Sequence, residues 1–194
     1  MENSIKSKLV LSSTSQARID LLKQFNINFE TYAPNIDETP LKNEFPKYLV
    51  KRLSLLKAQE ALKKKKDCFI IAADTVVYAR KKYIVKTESK NQAYQNLKLL
   101  SGRRHTVFTG LTTINKTKKS FFYLTTTKIK FKKLNENDID FYLKTNEWKN
   151  RAGSYAIQGL GASFVHFLSG SLSSAIGLPM EKVYDFLKHN RLIT

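Results

Sequence analysis

The run Cys68-Phe69-Ile70-Ile71-Ala72-Ala73 constrains the fold more than any other segment, because an unbroken apolar stretch of strand length needs cover on both of its faces. Such a strand belongs in the interior of a sheet flanked by helices. Asp74-Thr75 follows it, which predicts a carboxylate and a hydroxyl at the end of a buried strand, where α/β proteins gather ligand-contacting groups. A carboxylate buried there is costly unless it meets a metal ion or a charged partner.

Periodicity on either side predicts alternating elements. Lys8 to Leu11 reads as a short strand and is followed by a helix with Ile19, Leu22 and Phe25 on one face. Phe29 to Ala33 reads as a second strand, Pro34 to Pro40 as a polar loop, and Pro46 to Leu62 as a helix with Leu49, Leu53, Leu56 and Leu62 in register. Val76 to Tyr78 and Tyr83 to Val85 flank Arg80 to Lys82 as a hairpin, and Asn91 to Leu100 is amphipathic. Val107 to Ile114 and Ser120 to Phe131 form a β pair around the turn Asn115 to Lys119, and Asp138 to Lys144 is helical. A glycine-rich stretch, Gly153 to Gly161, leads to a strand at Ser163 to Leu168 and a helix from Pro179 to His189. Helices and strands that alternate, with hairpins among them, predict an α/β (mixed α+β) domain over residues 1–194, built on one mixed sheet, with a cleft between two lobes as the natural site.

Composition narrows the function classes. Lys and Arg number 34 against 16 Asp and Glu, a formal charge of +18, which raises the question of nucleic acid. The basic runs at 63–66, 80–82, 116–119 and 128–133 are scattered and lysine-rich, the pattern of a solvated surface, so no nucleic-acid partner is expected. No stretch approaches a membrane span, and the polar segment Met1 to Lys8 with the short apolar run Leu9 to Leu11 does not resemble an export signal. A single cysteine, Cys68, has no internal disulfide partner, and the cytoplasm is the expected compartment.

Several polar segments are candidates for chemistry. Ser12 to Arg18 lies between the first strand and first helix, where hydroxyls and unpaired N–H groups outline a phosphate cradle; its ordinary role would be an N-cap at Ser15 with Arg18 in solvent. Asp37-Glu38 sits in a polar loop and offers oxygen ligands of the kind magnesium prefers, although loop acids are usually just solvated. Lys57 and Lys86 suit phosphates only as members of a set. Ser101-Gly102-Arg103-Arg104-His105 reads as a helix C-cap, with His105 structural. Gln158, flanked by glycines in Tyr155 to Gly161, carries an amide that both donates and accepts, as reading a nucleobase edge requires.

In order, Ser13 to Arg18, Asp37-Glu38, Lys57, Ala73-Asp74-Thr75, Lys86, Ser-Gly-Arg at 101–103, Ala-Gly-Ser-Tyr-Ala-Ile-Gln-Gly-Leu-Gly at 152–161 and Gly177-Leu178-Pro179 resemble the Maf family of nucleotide pyrophosphatases. The resemblance implies an elongated mixed sheet with helices, two lobes around a cleft, commonly a homodimer. It also implies hydrolysis of the bond between the α and β phosphates of a nucleoside triphosphate with Mg2+ or Mn2+. Carried over by position, Asp74 is the base that activates water and, with Glu38, holds the metal. Ser13, Arg18, Lys57 and Lys86 bind phosphates, Ser15 belongs with them among the substrate-binding residues, and Thr75 and Gln158 contact the base.

Two motifs depart from the family pattern: Ser-Pro-Arg-Arg is here Ser15-Gln16-Ala17-Arg18, and Lys-Pro is Lys86-Thr87. Thr75 and Gln158 match the subgroup that prefers dTTP and UTP rather than the one that takes methylated guanosine triphosphate, whereas Ala17 matches neither. The implied role is house-cleaning of non-standard or excess nucleotides, with dTTP, UTP or modified pyrimidines as substrates. Two rivals stand beside it: a basic regulatory protein in cell-division arrest, and an ITPase-like enzyme for deaminated purines.

Overall fold

A computed structural model of the chain describes residues 8–193, so the polar start, residues 1–7, lies outside the described residues. Seven strands and six helices follow in mixed order. They are β1 (Lys8–Ser12), α1 (Gln16–Lys23), β2 (Glu30–Tyr32), α2 (Pro46–Lys64), β3 (Cys68–Ala79), β4 (Lys82–Ile84), α3 (Lys90–Leu100) and β5 (Arg104–Ile114). Then come β6 (Ser120–Phe131), α4 (Glu136–Lys144), two 3-10 turns at Ala152–Ser154 and Leu160–Phe164, β7 (Val165–Ser169), α5 (Leu172–Ile176) and α6 (Met180–His189). The strands form one mixed sheet in the order β2-β1-β3-β5-β6-β7, with β4 on β3, so the expected α/β class holds.

β1 pairs in parallel with β2 and with β3, from Lys8 opposite Cys68 to Leu11 opposite Ile71. Parallel neighbours need crossover connections, and the helical periodicity of α1 and α2 supplies them. β4 and β7 pair antiparallel with β3 and β6 respectively. The apolar run at 68–73 is buried throughout, as its composition dictates.

Asp74 does not end its strand: β3 continues to Ala79 because Val77, Tyr78 and Ala79 take β4 as a partner after β1 has stopped. The carboxylate therefore sits past the carboxyl end of β1 but inside β3. The strand expected at 163–168 begins two residues later, because the chain first makes the 3-10 turn Leu160–Phe164.

The chain divides into two compact units, residues 1–74, 110–124 and 177–194 in the first and 75–109 and 125–176 in the second. The first packs Val10, Ala58, Ala61, Cys68, Ile70, Ala72 and Ile114 into a core. Around Phe131, Tyr142, Trp148 and Tyr155, the second has a larger aromatic core with Leu97, Leu100 and Ile129. No helix among the described residues is long and apolar enough to cross a membrane.

Candidate active site

In the first unit the end of β1 is tied to α2, for the Ser12 hydroxyl donates to the Lys57 carbonyl at 2.8 Å. That places Lys57 where its ammonium meets two carboxylates, Asp74 Oδ1 at 2.6 Å and Glu38 Oε1 at 2.7 Å. The Lys57 and Asp74 side chains are both 4% exposed and that of Glu38 is 49% exposed, so the pair is internal and Glu38 closes it from the solvent side. Among the 27 lysines of the chain nothing in the sequence singles out Lys57; burial does so.

Arg18 is also buried, not in solvent as its default reading would have it. Its Nε donates to the Gly177 carbonyl at 2.8 Å and a terminal nitrogen donates to Ser13 Oγ at 3.3 Å. Burial lowers its pKa, while the Asp74 and Glu38 carboxylates act in the opposite direction. Ser13 Oγ also accepts from the Ser15 backbone N–H at 3.1 Å. Ser15 occupies the N-cap position of α1, yet its own hydroxyl makes no cap bond, so the capping role expected of it is not filled by its side chain. Ala17 is buried on the same helix, so the departure from the family pattern falls on the packed side of α1.

The acidic pair splits. Asp37 Oδ1 accepts from the Thr39 N–H at 2.8 Å, and hydrogen bonding from the Thr39 side chain and then its backbone holds the carboxyl below its ordinary range. Only Glu38 turns to Lys57. The loop carrying them is pinned to α2 at both ends, by Glu60, which accepts from the Tyr32 hydroxyl at 2.7 Å and the Asn35 N–H at 2.8 Å, and by Arg52. Arg52 grips the Glu44 carboxylate through two nitrogens at 2.9 and 2.8 Å and donates to the Thr39 carbonyl at 3.0 Å. None of these pins was evident from the sequence, because they join loop to helix across separations that no periodicity encodes.

The remaining candidates belong to the second unit. Thr75 Oγ1 lies 3.1 Å from Thr109 Oγ1, and the Thr109 hydroxyl donates to the Ser174 carbonyl at 2.8 Å. With Thr109's single proton committed, Thr75 is the donor in that pair. Lys86 is exposed just after β4, and Gln158 is exposed in a turn that the Gly159 N–H closes onto the Ala156 carbonyl at 3.1 Å. The structure thus gathers Ser13, Ser15, Arg18, Glu38, Lys57 and Asp74 in one unit and carries Thr75, Lys86 and Gln158 on the other.

His105 is structural, as expected: it is buried, its Nε2 is 2.8 Å from the Tyr155 hydroxyl, and desolvation lowers its pKa to about 4.

The Maf-like protein family model matches residues 8–190. The chain is 40% identical to the dTTP/UTP pyrophosphatase of Chelativorans sp. over 95% of its own length and 91% of that protein. It is 42% identical to the dTTP/UTP pyrophosphatase of a Wolbachia of Drosophila simulans, over 94% of this chain and 93% of the relative. Among solved structures, a HAM1 protein from Coxiella burnetii matches with a TM-score of 0.53 at 14% identity, over 94% of this chain and 99% of that one, a likeness of fold alone. One family model across both units, and relatives of this identity along nearly their whole length, make the chain a member of the Maf family.

Proposed function

We propose that this protein is a nucleoside triphosphate pyrophosphatase that hydrolyses the α–β phosphoanhydride of dTTP, UTP or modified pyrimidine triphosphates to the monophosphate and pyrophosphate, removing excess or non-standard nucleotides. The observation that carries the reading is the buried Asp74 carboxylate joined to Lys57 at 2.6 Å, in a chain whose 40% identical relative is named a dTTP/UTP pyrophosphatase.

The chemistry suits the residues. Cleaving a phosphoanhydride calls for an oriented water and for neutralised phosphate oxygens more than for covalent catalysis. Asp74 takes the proton from the attacking water, with Lys57 fixing one of its oxygens. Lys57, Arg18, Ser13, Ser15 and Lys86 bind the phosphates, and Thr75 and Gln158 contact the base. A planar amide read at both ends rejects a base with the wrong edge far better than an apolar pocket does.

Asp74 and Glu38 converge on a single ammonium, so a cation position between two carboxylates is built into this unit. No third His, Cys, Asp or Glu joins them among the described residues. Such a donor set suits Mg2+ or Mn2+, which takes one or two carboxylates and completes its shell with phosphate oxygens and water. When bound, the ion would neutralise charge on the phosphate oxygens. The reading also carries a homodimer and the cytoplasm, the latter supported by a buried cysteine without a disulfide partner.

Pyrophosphate release from a panel of normal and modified triphosphates, with Mg2+ or Mn2+, tests the proposal. Wild type is expected to favour pyrimidines and to need the metal, and Asp74→Asn to lose about a thousandfold in kcat with its melting transition retained. Release by Asp74→Asn at the wild-type rate would remove Asp74 as the base.

A further inference from the structure

The turn that presents Gln158 is fixed at both ends by side chains from the segment that follows and includes α4. At its start, the Ala156 N–H donates to the Tyr142 hydroxyl at 2.9 Å, and Ile157 is buried beside it. At its end, the Glu147 carboxylate accepts from two consecutive backbone groups, Leu160 N–H at 3.0 Å through Oε1 and Gly161 N–H at 3.4 Å through Oε2. Gly159 lies flat against the same carboxylate, since a Cβ there would stand 2.7 Å from both of its oxygens. Gly161 is equally constrained, with a Cβ position 2.6 Å from the Ala156 carbonyl oxygen.

Glu147 is itself held in place. The chain leaves α4 through Asn146 in the left-handed region, at φ 61, and the Glu147 N–H donates to Thr145 Oγ1 at 3.2 Å. Its neighbour Trp148 is buried and donates its indole N–H to the Leu143 carbonyl at 3.0 Å. A carboxylate that accepts two adjacent N–H groups and fills the space a side chain would take fixes the loop's path, and a charge-assisted acceptor does this more strongly than a neutral one.

We infer that Glu147 is a specificity-determining positioning residue, which locks the Ala156–Gly161 turn so that Gln158 meets the nucleobase edge in one orientation. This rests on Gln158 reading the base. A reading group held loosely accepts several edges, so the lock acts on discrimination between bases more than on phosphate chemistry. Tyr142 anchors the other end from within the core and leaves Glu147 as the half of the lock nearer solvent.

The test compares Glu147→Ala, Glu147→Gln, Gln158→Ala and the Glu147→Ala/Gln158→Ala double variant. It measures kcat/KM for UTP and GTP, together with amide hydrogen exchange across the turn. Glu147→Ala should reduce the UTP-to-GTP ratio about tenfold and speed exchange at Leu160 and Gly161. Glu147→Gln, which keeps an acceptor, should recover part of both, and the double variant should discriminate no worse than Gln158→Ala, since one residue acts through the other. Unchanged exchange in Glu147→Ala would overturn the lock. Faster exchange with a wild-type ratio, while Gln158→Ala does alter the ratio, would overturn the specificity role and leave only a structural one. A wild-type ratio in Gln158→Ala would instead remove the base-reading role on which the inference stands.

Discussion

Lys57 in the first unit and His105 in the second are equally buried, at 3% exposure, yet their surroundings are opposite in kind, and His105 is paired through Nε2 while its Nδ1 has no hydrogen-bond partner. Lys57 meets charge, Asp74 at 2.6 Å and Glu38 at 2.7 Å. His105 meets a neutral hydroxyl, Tyr155 at 2.8 Å, with the Phe131 ring edge-on at 4.9 Å. Burial pushes the His105 pKa down to about 4 and the Tyr155 pKa well above its usual value, so both groups are neutral near pH 7. The second arrangement is what a core does with polar groups it cannot avoid. The first is not an economical way to stabilise anything, because desolvating two charges offsets most of their attraction and an apolar replacement would often serve as well. Charges kept buried at that cost, beside the end of a parallel strand, fit the proton and phosphate chemistry proposed for Asp74 and Lys57.

The largest expected effect comes from breaking the ionic side of the contrast. Lys57→Met strands the Asp74 carboxylate and should lower the unfolding free energy by about 3–5 kcal/mol, while Lys57→Met/Asp74→Leu, which removes both charges, should recover most of it. Urea unfolding followed by circular dichroism reads both. A single variant as stable as wild type would mean that the two charges are not internal.

Much of this contrast was out of reach of the sequence. The buried strand, the helices around it and the glycine-rich turn follow from apolar runs and from periods of two and 3.6, which are local properties. The ordered set of motifs then pointed to the family and to Asp74. The burial of Lys57 and Arg18 could not be read, because in a chain with 34 basic residues nothing local separates an inward cation from a solvated one. The polar pair Asp74-Thr75 looks like a strand terminus in the sequence, whereas pairing with β4 carries β3 on to Ala79. Glu147, Arg52 and Glu60 carry no local signal for a similar reason: each is an ordinary acidic or basic residue whose partners lie on another segment.

Acid sharpens the neutral side. The unfolded chain protonates His105 near pH 6.5 and the folded one only near 4, so the stability His105 contributes is complete above pH 6.5 and is lost as the pH falls towards 4. A shift of that size corresponds to about 3 kcal/mol across the window. His105→Gln should flatten this limb of the stability profile, measured by urea unfolding at pH 7, 6, 5 and 4. A wild-type slope in the variant would assign the acid sensitivity to other groups.

The smallest effects separate the two units by what they do to turnover. Ser13→Ala removes the acceptor shared by the Ser15 N–H and the Arg18 guanidinium, and Thr127→Val removes the donor to the Ser171 carbonyl at 2.9 Å in the second unit. Each deletes buried hydrogen bonding of comparable size, so each should cost about 1 kcal/mol of stability. If the ionic unit is the one that holds phosphates, the equality ends there. Ser13→Ala frees a guanidinium from its neighbour and should raise KM for the triphosphate several-fold, whereas Thr127→Val, matched in shape and in stability loss, should leave both KM and kcat as they were. Because the two variants are matched in stability, a KM that rises equally in both can only reflect loosening of the fold, and it would take Ser13 out of the phosphate-binding set.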